Sequence, residues 1–373
     1  MRTSTFSPTL CIMPEIIQEM KKLSIILLLS SVQICFSQNI EQYADSISKK
    51  HFENENNVGL SIGIIKDQKQ KEFYYGGKYT SQLKDIDSTT LFEIGSVTKL
   101  YTAFILASLE NENKINCSDL LSKHLPEITK DKKWISKIKL VDLATHTSGL
   151  PSFENTKSLM KLKGFDENDP YGLFTKDVML SILKQTDTLD NYGKVKYSNF
   201  GIGILGLAMA ESQKTKFTDL FEKHIIKKLK LNSTHLTLTE VDLTSVAIPH
   251  RKQESMPLIQ LAELSPSGSI KTTMPDLSKF LNKHLHPDFD QKKLVQSLLS
   301  NQLTNSEQKV GLGWGIHTIN NEMVYFHNGG TYGSSSIVII VPTKKIGVAI
   351  LSNNSGEGEL TGYALELIKK LMD

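Results

Sequence analysis

The sequence predicts a mixed α/β (α+β) fold in which an antiparallel sheet, built from both ends of the chain, carries an inserted and mostly helical lobe. Three observations support this class: a β-hairpin pattern near the N-terminus, a second hairpin followed by an amphipathic helix at the C-terminus, and helical or loop patterns between them. We place the α/β lobe at about residues 38–95 and 300–373 and the helical lobe at about residues 96–299. A functional site is expected in the crevice between the lobes.

The first hairpin follows from the alternation of apolar and smaller residues, which is typical of a strand. The polar segment Lys66–Lys69 then turns the chain into a second apolar run, Phe73–Tyr75. The alternating apolar positions are Val58, Leu60, Ile62 and Ile64. We therefore predict two antiparallel strands here.

A matching pair of strands is predicted near the C-terminus. Ile337–Val341 and Ile346–Leu351 are rich in β-branched residues and flank the turn Pro342–Lys345. Tyr363–Leu371 has the spacing of an amphipathic helix. We expect the first and the last hairpin to share one antiparallel sheet.

Helical patterns dominate the middle of the chain, for example at Asp177–Lys184 and Phe217–Leu229. The region contains no internal repeat and no low-complexity linker. The chain has 373 residues, of which 39% are hydrophobic, and this is enough for one large domain with a sizeable core. We therefore assign residues 38–373 to a single domain.

The segment Ser96-Val97-Thr98-Lys99 places a hydroxyl and an amine on one face of a helix, because three residues separate them. A serine hydroxyl attacks poorly at neutral pH unless a neighbouring group takes its proton, and a lysine one turn away can take it. The four-residue pattern alone recurs by chance, and it also fits a serine near a helix start followed by a solvated lysine.

The residues that follow favour the chemical interpretation. Thr102–Leu109 is small or apolar on nearly every face, which predicts a buried helix. Lys99 should then face a polar pocket at the helix N-terminus, where desolvation and the helix dipole favour the neutral amine.

Two further segments complete a constellation. Lys196–Phe200 offers the phenol of Tyr197 and the carboxamide of Asn199, and His327–Gly330 precedes a predicted strand. With Ser96–Lys99 in front of them, these motifs resemble the serine β-lactamase and penicillin-binding protein superfamily, specifically the branch of class C β-lactamases, DD-peptidases and related esterases. The resemblance implies a β-lactamase/transpeptidase-like fold, with an antiparallel sheet flanked by N- and C-terminal helices.

Secondary landmarks extend the resemblance from about Val58 to the C-terminus. Leu143–Pro151 is similar to the family's loop after the nucleophile helix. Pro266–Ser269, with Asp276, is similar to the turn into a later helix, and Gly311–Gly315 is similar to the strand before the third motif.

The resemblance implies a role for each matched position. Ser96 would be the nucleophile, Lys99 its general base or proton relay, and Tyr197 the second proton-transfer group. The backbone amides of Ser96 and Gly330 would form the oxyanion hole, and glycines there let the backbone approach a ligand closely. The implied substrate-binding residues are Asn199, His327, Asn328, Gly329 and Gly330. The mechanism needs no metal and no cofactor.

His327 departs from the class C pattern, which has a lysine at this position. Lysine supplies a permanent positive charge for a substrate carboxylate, whereas a histidine with an ordinary pKa is mostly neutral at pH 7. This departure favours peptidases and esterases over efficient β-lactam hydrolases.

Charge gives no sign of a nucleic-acid partner. The formal net charge is +3, or +2 without residues 1–37. The basic runs Lys130–Lys133 and Lys227–Lys230 are short and interrupted, which is typical of solvated surface. We expect a small-molecule or peptide substrate, and the sequence defines no oligomeric state.

The N-terminus carries the pattern of a signal peptide at residues 20–37, with a preceding extension at 1–19. Met20-Lys21-Lys22 precedes a short apolar run, and Cys35-Phe36-Ser37 offers small residues at the cleavage positions. We expect a periplasmic or secreted bacterial protein with no membrane association beyond this segment. Cys117 is then the single cysteine of the processed chain, so no internal disulfide forms.

Three other motifs have simpler interpretations. Gly201–Gly206 fits a dinucleotide fingerprint, but no apolar strand precedes it, and close helix packing is the better account. His284-Leu285-His286 is assigned to a surface loop at a helix end, not to a metal site. His146 is assigned a structural role, holding its loop by a hydrogen bond.

Three functions remain open. The first is a serine hydrolase that cleaves an amide of a β-lactam or of a cell-wall-type D-amino-acid peptide. The second is a carboxylesterase with the same Ser96, Lys99 and Tyr197 set. The third is a non-catalytic penicillin- or muropeptide-binding protein.

Overall fold

The computed structural model describes residues 40–79, 85–126, 134–153, 160, 162–167, 169–239, 241–300, 302–303 and 308–373. The chain divides into two units at Ile47 and Ser48, and the described part of the first unit is residues 40–47. Residues 40–47 of the first unit are helical, and residues 48–52 open the second unit as helix. The predicted extension and signal peptide lie outside the described residues and stay predictions. Within the described ranges, no helix is both long and apolar enough to span a bilayer.

The strands of the second unit form three sheets. In chain order they are β1 (Gly59–Lys66), β2 (Lys69–Gly76), β3 (Phe92–Glu93), β4 (Thr234–His235), β5 (His250–Arg251), β6 (Glu254–Ser255), β7 (Lys271–Thr272), β8 (Lys309–Val310), β9 (Gly315–Ile319), β10 (Glu322–Gly330), β11 (Ser335–Val341) and β12 (Ile346–Ser352). The main sheet has the order β2-β1-β12-β11-β10-β9-β8, and its pairs are antiparallel. A small sheet has the order β3-β7-β4, and β5 pairs with β6.

The predicted joining of the two chain ends is confirmed by the register of β1 and β12. Leu60 pairs with Ser352, and Lys66 pairs with Ile346. The predicted strands at Ile337–Val341 and Ile346–Leu351 are confirmed as β11 and β12. Both ends of the chain therefore contribute central strands of one sheet.

The helices lie mostly between β3 and β8 in sequence. They are α1 (Thr98–Asn111), α2 (Leu121–His124), α3 (Leu140–Ala144), α4 (Lys176–Gln185), α5 (Asn199–Gln213), α6 (Phe217–Phe221), α7 (Met274–Leu285), α8 (Lys292–Leu299) and, after the last strand, α9 (Glu357–Met372). Short 3₁₀ turns occupy Gly95–Val97, Ile135–Lys137, Leu243–Ser245, Ala262–Ser267, Phe289–Gln291 and Pro342–Lys344, and Glu222–Lys227 is π-helical. Helices α7 and α9 pack against the main sheet.

The three helices predicted from periodicity are confirmed. Asp177–Lys184 lies within α4, and Tyr363–Leu371 lies within α9. Phe217–Leu229 begins as α6 and continues as the π-helical segment. Helix α1 is buried on every side from Thr98 to Leu109, as its composition predicts.

The glycines of Gly201–Gly206 serve helix packing. They lie in α5, and this helix packs on the 3₁₀ turn Ala262–Ser267. A Cβ at Gly203 would stand 2.7 Å from Leu264 Cδ2. The close approach of α5 to this turn supports the packing interpretation of the glycine run.

The surface assignment of the His284-Leu285-His286 segment is wrong for His284, which is 1% exposed. Helix α7 includes His284 and ends at Leu285, so His284 falls on the same buried face as Leu277 and Phe280. Its ring lies 4.7 Å from the ring of Phe280 and 5.4 Å from that of Trp314. Among the described residues, no group of three or more His, Cys, Asp or Glu side chains is placed to hold a metal ion.

The predicted strand at Gly311–Gly315 is largely wrong, because only Gly315 lies in a strand, at the start of β9. The preceding residues form a tight turn, in which the Gly311 amide donates to the Trp314 carbonyl at 2.8 Å. The Gly313 amide donates to the carbonyl of Ala144 at 3.1 Å, so this turn is fixed to the end of α3.

Buried histidines are expected to make stability depend on pH. Burial lowers the pKa of His224, His284 and His327 to about 4, whereas an unfolded histidine titrates near 6.5. Between these values the unfolded chain binds more protons, so the free energy of unfolding falls as the pH is lowered from 6.5 towards 4. Each such histidine contributes about 1 kcal/mol per pH unit in this window.

Urea denaturation at a series of pH values between 7 and 5 measures this effect. The slope should be shallower in His284→Gln than in the wild type, because one protonation of the unfolded chain is removed. His317→Gln, at an exposed position of β9, is the control for loss of an imidazole and should keep the wild-type slope. Equal slopes in the wild type and His284→Gln would contradict the assignment.

Candidate active site

Ser96 lies in a 3₁₀ turn that joins a buried strand to a buried helix. The turn Gly95–Val97 follows β3 and runs directly into α1. Two hydrogen bonds with Ile270 hold it: the Ile94 amide donates to the Ile270 carbonyl, and the Ile270 amide donates to Thr98 Oγ1, both at 3.1 Å. The position of Ser96 is therefore set by the small sheet.

The Ser96 hydroxyl lies between an amine and a phenol. Lys99 Nζ donates to Ser96 Oγ at 3.0 Å, and Ser96 Oγ lies 2.5 Å from the Tyr197 hydroxyl. Lys99 Nζ is also 4.7 Å from the centroid of the Tyr197 ring. Two groups that can exchange protons thus contact the hydroxyl of Ser96.

Lys99 is buried in a polar setting, as the sequence predicts. Its side chain is 0% exposed, and its Nζ donates to the Ser267 carbonyl at 2.6 Å. Thr102, one turn further along α1, donates to the Pro266 carbonyl at 2.6 Å. The 3₁₀ turn that ends at Ser267 therefore presents carbonyl oxygens to this helix, and one of them orients Lys99.

Tyr197 is positioned by the start of α5. The next residue, Ser198, caps this helix: its Oγ accepts from the Gly201 amide at 2.8 Å and donates to the Pro151 carbonyl at 2.5 Å. The Ser198 amide donates to His146 Nδ1 at 3.2 Å. Since Nδ1 accepts, a neutral His146 carries its proton on Nε2. This bond fits the structural role predicted for His146, whose ring lies 4.5 Å from that of Tyr197.

The turn that carries Ser96 packs directly against the end of β10. Gly95 has φ +47°, and a Cβ there would stand 2.5 Å from the Gly330 carbonyl oxygen. A Cβ at Gly329 would stand 2.9 Å from the Ser96 amide nitrogen. Only glycines permit this approach, which brings the backbone of Gly95 and Ser96 against that of Gly329 and Gly330.

A cavity of about 550 Å³ opens in front of Ser96, and we call it the Ser96 cavity. Its lining residues are Ser96, Tyr171, Tyr197, Asn199, Ile259, Leu261, Leu264, Ser267, Gly268, Asn328, Gly330, Thr331 and Tyr332. The predicted substrate-binding residues Asn199, Asn328 and Gly330 thus line the same cavity as Ser96 and Tyr197. Among the described residues, no lysine or arginine lines it.

Sequence reasoning did not assign several residues that line this cavity. Thr331 and Tyr332 directly follow the third motif, and this adjacency is a signal that could have identified them. Tyr171, Ile259 and Leu261 come from distant segments without a motif, so only the fold identifies them.

His327 lies beside the Ser96 cavity and is not among the residues that line it. It lines a second cavity of about 170 Å³, together with His146, while Tyr197 and Asn328 line both cavities. Burial, the larger cause, lowers the pKa of His327 to about 4, and a protonated Lys99 acts in the same direction. Burial is also the main cause that holds the pKa of His146 well below its usual value, and Lys99 and His327 add to it. Both imidazoles are therefore neutral at pH 7, and His327 supplies no positive charge there.

Comparisons with known proteins relate the sequence of this chain to one family. The profile of the family described as Beta-lactamase matches residues 36–372. A beta-lactamase of Pseudomonas fluorescens is 27% identical over 372 residues, covering 90% of this chain and 99% of that protein. A beta-lactamase of Providencia stuartii is 25% identical over 368 residues, covering 89% of this chain and 91% of that protein.

A third relative is longer than this chain. Protein flp of Staphylococcus aureus is 26% identical over 341 residues, which cover 89% of this chain but 66% of that protein. The family profile spans the Ser96 turn, Tyr197 and the end of β10, which are the elements that meet in the Ser96 cavity. The chain therefore belongs to the beta-lactamase family, within the superfamily of serine β-lactamases and transpeptidases.

Proposed function

We propose that this serine hydrolase forms an acyl-enzyme on Ser96 and hydrolyses an amide bond of a β-lactam or of a cell-wall-type D-amino-acid peptide. This is the activity of class C β-lactamases and DD-peptidases. The observation that carries the proposal is the placement of Ser96 Oγ within 3.0 Å of Lys99 Nζ and 2.5 Å of the Tyr197 hydroxyl, at the floor of the Ser96 cavity. Each of the two neighbours can take or give a proton.

Acylation would proceed through a tetrahedral intermediate. Ser96 Oγ attacks the substrate carbonyl carbon, its proton passes to Lys99, and the amides of Ser96 and Gly330 hold the oxyanion. Tyr197 then protonates the leaving nitrogen as the carbon–nitrogen bond breaks. Lys99 returns a proton to the Tyr197 oxygen, so the enzyme keeps its proton balance.

Deacylation would reverse these roles. Water attacks the ester carbon and passes a proton to the Lys99–Tyr197 pair. The ester bond then breaks, and Ser96 regains its proton from the same pair. The products are free enzyme and a carboxylic acid.

A carboxylesterase with the same catalytic set is the second candidate, and the uncharged cavity lining favours it. A neutral His327, and the lack of lysine or arginine among the described lining residues, leave a substrate carboxylate without a cation in the wall. An ester of an uncharged alcohol needs no such cation.

Intact mass spectrometry of the protein with penicillin, sampled over time and run beside Ser96→Ala, tests the proposal. We expect a penicilloyl adduct on the wild type and none on the variant. A lasting adduct supports a penicillin-binding peptidase, and a transient adduct with consumption of penicillin supports a β-lactamase. An adduct that forms equally on Ser96→Ala would refute Ser96 as the nucleophile.

Substrate competition separates the two candidates. Hydrolysis of a D-Ala-D-Ala peptide is compared with that of a short-chain aryl ester, with Ser96→Ala as the control. Ester turnover without penicillin adduct or peptide cleavage would replace the amide proposal by the esterase. No turnover of either substrate, with or without a single adduct, would leave a binding protein.

The proposed location is the periplasm or the exterior of a bacterium. N-terminal sequencing of the native protein tests the signal peptide on which this location depends, because its removal leaves a mature N-terminus near Gln38.

A further inference from the structure

We infer that Glu93 is a positioning residue that holds together both sides of the oxyanion hole and one wall of the Ser96 cavity. The inference rests on the proposed function, because it concerns the same site. Glu93 lies in β3, three residues before Ser96, and no sequence motif assigns it a role. Its contacts reach three separate segments of the chain.

Glu93 forms a buried ion pair behind the turn that carries Ser96. Its side chain is 0% exposed, that of Lys271 is 1% exposed, and Lys271 Nζ lies 3.6 Å from Glu93 Oε1. The two residues face each other in the β3–β7 ladder. Burial raises the pKa of Glu93 and lowers that of Lys271, while the opposite charge of each partner opposes this change.

The first link runs from Glu93 to the strand end that carries Gly330. Thr331 Oγ1 donates to Glu93 Oε2 at 2.7 Å, and the same hydroxyl accepts from the Ser334 amide at 3.1 Å. Thr331 directly follows Gly330, whose amide is the second oxyanion donor in the proposed mechanism. Glu93 is thus joined to the Ser96 amide through the backbone of β3 and the following turn, and to the Gly330 amide through Thr331.

The second link runs from Glu93 to the cavity wall at Ile259. The Ile259 amide donates to Glu93 Oε1, and Lys271 Nζ donates to the Ile259 carbonyl, both at 2.6 Å. The ion pair therefore holds both polar backbone groups of one residue. Ile259 lines the Ser96 cavity, so this wall is tied to the turn that carries the nucleophile.

A buried ion pair is an unfavourable way to stabilise the fold at this position. Burying two charges is strongly unfavourable, and apolar residues of similar volume often stabilise a core better. The pair instead satisfies polar groups from two segments that apolar side chains could not hold. Fixed donors are what an oxyanion hole requires, because its stabilisation depends on geometry set before the reaction.

Variants of Thr331 test the link to Gly330. Thr331→Val removes the hydroxyl that Glu93 accepts, whereas Thr331→Ser keeps it. We expect the rate at which penicillin or 4-nitrophenyl acetate acylates Ser96 to fall about tenfold in Thr331→Val. Intact mass spectrometry measures this rate. Thr331→Ser should retain most of the wild-type rate. Glu93→Gln should lower kcat and kcat/KM by the same factor, as expected for an interaction made in the transition state.

Thr234→Val is the matched control. Thr234 is buried in β4 of the same small sheet and donates to a carboxylate, Asp276 Oδ2, at 3.0 Å, but it does not line the Ser96 cavity. This variant should lose stability and keep the wild-type acylation rate. An equal loss of acylation in Thr234→Val and Thr331→Val would reduce the effect to general destabilisation and overturn the inference.

Hydrogen exchange followed by mass spectrometry gives a readout that does not depend on activity. Peptides covering residues 93–97 and 328–331 should exchange faster in Thr331→Val than in Thr331→Ser or Thr234→Val. Unchanged exchange in both peptides would overturn the inference. If neither penicillin nor 4-nitrophenyl acetate acylates the wild type, the proposed function fails. The hydrogen-exchange comparison still decides whether Glu93 holds the two segments together.

Discussion

Replacing Lys99 with methionine is expected to slow the acylation of Ser96 about a thousandfold, within the usual range for a general acid or base. Methionine has a similar length, so the space in the core stays filled, but Ser96 Oγ loses the amine 3.0 Å away. The carbonyl of Ser267 loses its donor at 2.6 Å as well. The expected loss is therefore chemical, with a smaller cost in stability.

The measurement is the time course of acylation by 4-nitrophenyl acetate, with the melting temperature recorded for each variant. Lys78→Met is the matched control, because Lys78 is also buried, at 2% exposed, and does not line the Ser96 cavity. This control should keep the wild-type rate. A wild-type rate in Lys99→Met would mean that the Tyr197 hydroxyl, 2.5 Å from Ser96 Oγ, takes the proton without the lysine.

Local sequence patterns predicted the elements that depend on local physics. The alternation from Val58 to Ile64 predicted β1, because side chains of a strand point to opposite faces in turn. The pair of Ser96 and Lys99 followed from the spacing of helical residues. The hydrogen bond between them at 3.0 Å agrees with that spacing, although Ser96 itself lies in the 3₁₀ turn before the helix.

Contacts between distant segments needed either the family resemblance or the structure. Tyr197 stands 101 positions after Ser96, and no periodicity joins them. The resemblance placed them in one site, and their hydroxyls are 2.5 Å apart. Ile259 and Tyr171 have no motif, so their place in the cavity wall depends on how the chain folds back.

The error at His284 shows where pattern reasoning stops. A histidine near a proline and an aspartate fits the polar end of a helix, and this pattern predicts an exposed side chain. Helix α7 ends one residue later, at Leu285, and the periodicity from Leu277 and Phe280 carries His284 into the core. Helix boundaries are the least predictable part of a helix, and a shift of one residue here changes the environment of a titratable group.

The second large effect is expected from Gly95→Ala. The backbone at position 95 has φ +47°, which is strained for alanine, and the new Cβ would stand 2.5 Å from the Gly330 carbonyl oxygen and 2.8 Å from its amide nitrogen. The turn must therefore move away from β10. Such a displacement of about 1 Å costs roughly a hundredfold in rate, and the strain costs roughly 1–3 kcal/mol in stability.

Initial rates of aryl-ester hydrolysis and urea denaturation measure the two effects separately. Gly362→Ala is the matched control, because Gly362 is an exposed position of α9 where a Cβ would meet nothing within 4 Å. Alanine there should stabilise the helix by about 0.5–1 kcal/mol and leave the rate unchanged. If Gly95→Ala lost stability but kept its rate, the contact between the Ser96 turn and β10 would serve folding alone. A joint loss of stability and rate would mean that the packing that places Ser96 beside Gly330 also prepares the site for acyl transfer.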